Sequence, residues 1–164
     1  MSKILVNIEN LTDLVGFEMD YDGVYVKLTP QTPVDDILTL TTSGKQVFFD
    51  FSSLSASHCL GFAKNLKEDV TFVVDDFQKA IFIKTVRPNA DISVFYDGFD
   101  EMLIPFLSVN KFNATIKYTA LAPERIEKFV SAGVSVNGYI VTRQDELGVL
   151  KYWNCPYITV SKSL

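Results

Sequence analysis

Short runs of β-branched and aromatic residues recur along the whole chain, and they constrain its fold more than any other feature. Lys3-Ile4-Leu5-Val6, Val47-Phe48-Phe49, Val70-Thr71-Phe72-Val73-Val74, Ile81-Phe82-Ile83 and Tyr139-Ile140-Val141 all have strand composition. The pattern predicts strands over 3–9, 46–51, 70–74, 79–86, 92–96, 112–119, 148–153 and 157–161. Two hairpins are expected, over 17–28 around Asp22-Gly23 and over 134–141 around Asn137-Gly138, because both dipeptides suit the positive φ angles of a type I′ turn.

Helix signals are fewer. Ser55 caps a segment over 55–67 with Leu60, Ala63 and Leu66 on one side. Pro123 at the first helical position, Glu124 and Lys128 four apart, and Gly133 just past the end define a second. Thr32 and Pro33 open a third, although the alternation Leu38-Thr39-Leu40-Thr41 fits a strand as well. Asp100 to Leu107 has helical character, which Pro105 limits to a first turn. About ten strands and three or four short helices give an α+β class with mostly antiparallel strands and a single βαβ unit at 46–74. One compact domain over 1–164 is expected, with a softer division near 110.

Composition narrows the function. The chain is 48% hydrophobic with a mean hydropathy of +0.17, an apolar excess that suits subunit contacts. No window approaches the roughly 18 apolar residues of a membrane span, and Asn7 and Glu9 interrupt a signal-peptide core. A cytoplasmic or virion location is therefore expected. Net charge is −5, with 4 acids and 7 bases in residues 111–164 and the acidic excess before them. Three arginines and overall acidity argue against a nucleic-acid backbone as partner.

Catalytic vocabulary is thin. His58 is the only histidine, no Gly-x-Ser-x-Gly elbow occurs, and the eight glycines form no phosphate loop, so no cofactor is expected. His58 and Cys59 are adjacent, and neighbours on a helix do not face each other. Cys59 and Cys155 read as small core residues. Glu18-x-Asp20-x-Asp22-Gly23 imitates half a calcium loop but puts Thr29 where a bidentate Glu is required.

Carboxylates beside phenylalanine end three predicted strands, at Asp50, at Asp75-Asp76 and at Asp97. Converging, they would hold Mg²⁺ in a small metal-dependent hydrolase or nuclease; as turn and cap residues they need no metal, and no metal site is expected. Tyr139, Arg143, Tyr152, Trp153 and Tyr157 combine aromatic and basic character in the C-terminal third, as interface anchors do. Together these features predict a non-enzymatic structural protein, a homo- or hetero-oligomeric subunit of an assembly such as a virus or phage particle, docking through strand edges and these aromatics. The alternatives are the aspartate hydrolase and a monomeric acidic inhibitor or regulator of a protein partner.

Overall fold

The computed structural model describes residues 1–164. Eight strands lie side by side in chain order: β1 (Lys3–Asn7), β2 (Gly23–Lys27), β3 (Gln46–Asp50), β4 (Thr71–Val74), β5 (Asp91–Tyr96), β6 (Asn113–Lys117), β7 (Val136–Val141) and β8 (Tyr157–Ser161). Every neighbouring pair is parallel. β8 returns to β1, with Lys3 opposite Tyr157 and Asn7 opposite Ser161, so the sheet closes into a barrel.

Parallel neighbours require a crossover on the outside. Six helices supply it after β2 to β7: α1 (Val34–Leu38), α2 (Ala56–Asn65), α3 (Phe77–Val86), α4 (Leu103–Asn110), α5 (Pro123–Ser131) and α6 (Gln144–Tyr152). After β1 the return is a 3₁₀ turn at Leu11–Leu14 and a non-helical stretch whose Phe17, Met19 and Tyr21 pack on the core. This is the (β/α)₈ barrel architecture. No helix is long and apolar enough to cross a membrane.

The expected α+β class with mostly antiparallel strands is therefore corrected: eight strands replace about ten, all parallel, and six helices replace three or four. The βαβ unit over 46–74 exists as β3–α2–β4, but it is one of a ring of such units. The physical reason lies in the strands' own burial. β4 is buried at every residue and β3 at all but its first, because helices cover one face and the barrel interior the other.

Two predicted strands are helices. Residues 79–86 belong to α3, where the Asp76 side chain accepts from Lys79 N at 2.8 Å and Ala80 and Ile83 are buried. Residues 148–152 end α6, which buries Leu147 and Leu150. Burial of one helix face overrides the β propensity of Ile81-Phe82-Ile83. Pro105 does sit inside α4, at its third position, where its missing N–H costs no hydrogen bond.

Neither predicted hairpin forms. Gly23 begins β2, where a Cβ would lie 2.2 Å from the Gln46 carbonyl oxygen of β3. Gly138 lies within β7, where a Cβ would approach Leu121 and Leu150 to 3.2 Å. Both glycines serve close approach, not a turn.

The core has two compartments. Between strands and helices lies a shell that includes Val6, Val26, Phe49, Phe72, Ile83, Ile116 and Phe129. Inside the barrel Leu5, Tyr25, Phe48 and Val73 pack together with Phe95, Tyr139 and Tyr157. The remaining interior positions on β5 to β8 are buried and polar: Ser93, Thr115, Asn137 and Thr159.

Candidate functional site at the barrel mouth

Side chains alternate along a strand, so the inward series Leu5, Tyr25, Phe48, Thr115, Asn137 and Thr159 continues upward to Asn7, Lys27, Asp50, Lys117, Tyr139 and Ser161. These residues ring the C-terminal mouth, the end at which barrels of this architecture carry their chemistry.

Asp50 is the most constrained of them. It is only 6% exposed. Its Oδ2 accepts from the Tyr25 hydroxyl at 2.7 Å and its Oδ1 from Ser52 N at 2.7 Å. Burial, and then the Asp50 charge and hydrogen bond, push the Tyr25 phenol well above its ordinary pKa, so it remains a donor. Tyr139 stacks near Tyr25 with ring centroids 4.8 Å apart. Its phenol is also raised, by burial and by the Asp50 charge.

Five cations stand at or just past the strand ends, and four are ion-paired. Lys79 meets Asp75 at 2.7 Å, Lys117 meets Asp97 at 3.1 Å, Arg143 meets Asp145 at 2.6 Å and Lys162 meets Asp13 at 2.9 Å. Lys27 has no ion-pair partner, and it lies directly across from Asp50 in the β2–β3 register. The mouth thus sets, on adjacent strands, a lysine outside any ion pair beside a buried, oriented carboxylate.

The predicted carboxylates all reach the C-terminal side of the barrel but serve separate ends. Asp50 faces the mouth, Asp75 holds Lys79, Asp76 caps α3 and Asp97 pairs with Lys117. No three His, Cys, Asp or Glu side chains gather where one metal ion could bind them. The C-terminal aromatics are likewise dispersed. Tyr139 and Tyr157 face the barrel interior, Arg143 precedes α6, Tyr152 is exposed and Trp153 packs on the outer core.

His58 lies elsewhere, on the exposed side of α2, its Nδ1 3.0 Å from Ser55 Oγ. It borders a cleft of about 920 Å³ outside the barrel, between α1 and α2, where Leu28, Leu38, Leu54 and Phe62 form an apolar wall. Cys59 turns into the core and its thiol is pushed up to about 11 by burial, which separates it chemically from His58. Sequence reasoning missed Tyr25, Lys27 and Lys117. They end strand-like runs, but only barrel closure reveals that those ends share one mouth.

No family model matches the chain, and no characterised protein matches it in sequence. Solved structures match its fold. A glycerophosphodiester phosphodiesterase from Parabacteroides distasonis superimposes with a TM-score of 0.69 at 10% identity, covering 97% of this chain and 93% of that one. An Oleispira antarctica phosphodiesterase, solved with its product sn-glycerol-3-phosphate, gives 0.66 at 10% identity over 80% of this chain; the match spans 57% of its own length. A monomeric form of the dimeric phosphoribosylanthranilate isomerase from Thermotoga maritima gives 0.65 at 11% identity, covering 99% of this chain and 88% of that one.

At such identities the likeness defines a shared barrel fold. On that fold the expected non-enzymatic subunit of a virus or phage particle, docking through strand edges, is corrected. The physical reason is closure. Docking through strand edges needs free edges, and a closed barrel has none.

Proposed function

We propose that the protein is an enzyme that performs acid–base chemistry on a small phosphorylated substrate at the C-terminal mouth of its barrel. The observation that carries this reading is the juxtaposition of Lys27, free of any ion pair, with Asp50, buried and held by Tyr25. Lys27 receives the anionic group of the substrate. Asp50 accepts a proton from a water or a substrate hydroxyl, and Tyr25 and Ser52 N hold it in place. Tyr139 remains protonated beside them and supplies a donor.

The phosphate seat is not the N-terminus of α6, because Asp145 and Glu146 already occupy its first turn. Hydrolysis of a glycerophosphodiester is the first reaction to test, since two of the matched enzymes bear the phosphodiesterase name. The test compares turnover and binding of glycerophosphodiesters and sn-glycerol-3-phosphate by the wild type, Asp50→Asn and Lys27→Met. Asp50→Asn is expected to lower kcat by about 10²–10⁴-fold, and Lys27→Met to weaken binding of the phosphorylated ligand. A wild type that neither binds nor turns over these compounds ends the phosphorylated-substrate reading.

A further inference from the structure

Beneath the mouth, the Phe48 and Tyr157 rings lie 5.3 Å apart, tilted by 54°, in one interior cluster with Leu5. Below them is a small chamber of about 90 Å³, bordered by Thr71, Asp91, Ser93, Asn113, Ser135 and Asn137. Most of its polar groups satisfy one another. Thr71 Oγ1 donates to Asp91 at 2.7 Å, Asn113 Nδ2 donates to Asp91 at 2.9 Å, and Ser135 N donates to Asn113 Oδ1 at 3.0 Å. Ser93 Oγ and Thr115 Oγ1 are 2.7 Å apart.

Asn137 is the exception. It is 2% exposed, and its Oδ1 accepts from Thr159 Oγ1 at 2.9 Å, with Nδ2 at the other end of the amide. Nδ2 is fully buried and has no hydrogen-bond partner in the protein. The Ser93–Thr115 pair also retains a spare hydroxyl hydrogen, since only one of the two hydroxyls donates to the other. A buried donor left unpaired is destabilising, and a water that accepts from it relieves that cost. The chamber therefore presents unspent donors from Asn137 and the hydroxyl pair, with further acceptor capacity on Asp91 and the hydroxyl oxygens.

We propose that this chamber is an internal hydration site, holding about three water molecules, one of which accepts from Asn137 Nδ2. Water is the ligand whose chemistry fits, because it accepts from the amide and donates to the hydroxyl and carboxylate oxygens around it. A cation does not fit the amide hydrogens, and an anion does not fit Asp91. Thr71 and Asp91 also border an open polar hollow at the N-terminal end of the barrel, alongside Lys45, Gln46 and Asp69. That end, not the mouth, is the route by which the waters exchange with solvent. The Asn137–Thr159 bond spans β7 and β8 just below their register shift between Gly138 and Val141, so the hydrated amide pins the pairing where it is irregular.

The site is independent of the mouth chemistry and is tested without a substrate. In ¹⁵N-labelled wild type, NOE and ROE cross-peaks between water and the Asn137 side-chain amide are expected, with the sign of water bound longer than tumbling. Their absence, with the amide protons assigned, overturns the proposal. Asn137→Leu gives a second reading. Read against Thr159→Val, which removes the same Asn137–Thr159 bond, Asn137→Leu is expected to lower Tm by about 2–4 °C more; an equal or smaller loss also overturns the proposal. Should the variant fail to fold, the wild-type spectrum still decides.

Discussion

Burial sets the character of the titratable groups inside and around the barrel. The Cys59 thiol is pushed up to about 11 and the Cys155 thiol to about 12 by burial. The Tyr25 phenol is raised by burial and by Asp50. Each favours its protonated form when folded, while the unfolded chain releases the proton at the ordinary pKa. The stability these groups contribute is thus complete below about pH 9 and is lost as pH rises through 11 and 12. Thermal melts followed by circular dichroism from pH 7 to 12 are expected to show a flat Tm that falls steeply above pH 9. Both thiols are expected to resist a disulfide reagent in the folded protein and to react as it unfolds, which a stopped-assay thiol titration at pH 8 measures. Asp50→Asn removes a charge that raises Tyr25 and Tyr139, so the ultraviolet phenolate titration is expected to move toward ordinary tyrosine behaviour. Asp50 itself was legible as a strand-end carboxylate. Its role was not, because the Tyr25 hydroxyl that orients it comes from another strand, 25 positions away.

At the scale of elements, local chemistry predicts starts better than identities. Ser55 caps α2 with its side chain accepting from His58 N, and Pro123 opens α5, both as their residue types imply. Asp76→Ala removes the side-chain cap of α3 and is expected to cost about 1 kcal/mol, or about 2–4 °C of Tm, in a thermal melt. Ile81-Phe82-Ile83 misleads because a helix between barrel and solvent needs apolar residues on its inner face, and β-branched ones serve there. Asp22-Gly23 and Asn137-Gly138 mislead for a different reason. A glycine required by a neighbouring chain carries the same letter as a glycine required by a turn. Gly23→Ala would drive a methyl into the Gln46 carbonyl and is expected to destabilise the β2–β3 pairing far more than a surface Gly→Ala, read as a lowered urea midpoint.

For the whole molecule, strand runs without alternation hold the missing information. Such runs fit strands buried on both faces, and that burial arises most simply in a parallel sheet covered by helices. Strand composition alone suggested free edges and hence a docking subunit. Closure removes the edges, gathers eight strand ends into one mouth and turns isolated aspartates into members of a ring with separate tasks. The central claim is that this mouth, around Lys27 and Asp50, is where the protein meets its substrate. Amide chemical-shift mapping with sn-glycerol-3-phosphate tests it most directly. Perturbations centred on Asn7, Lys27, Asp50, Lys117, Tyr139 and Ser161, and lost in Lys27→Met, are predicted. Perturbations confined to the cleft between α1 and α2, with the mouth residues unmoved, would contradict it.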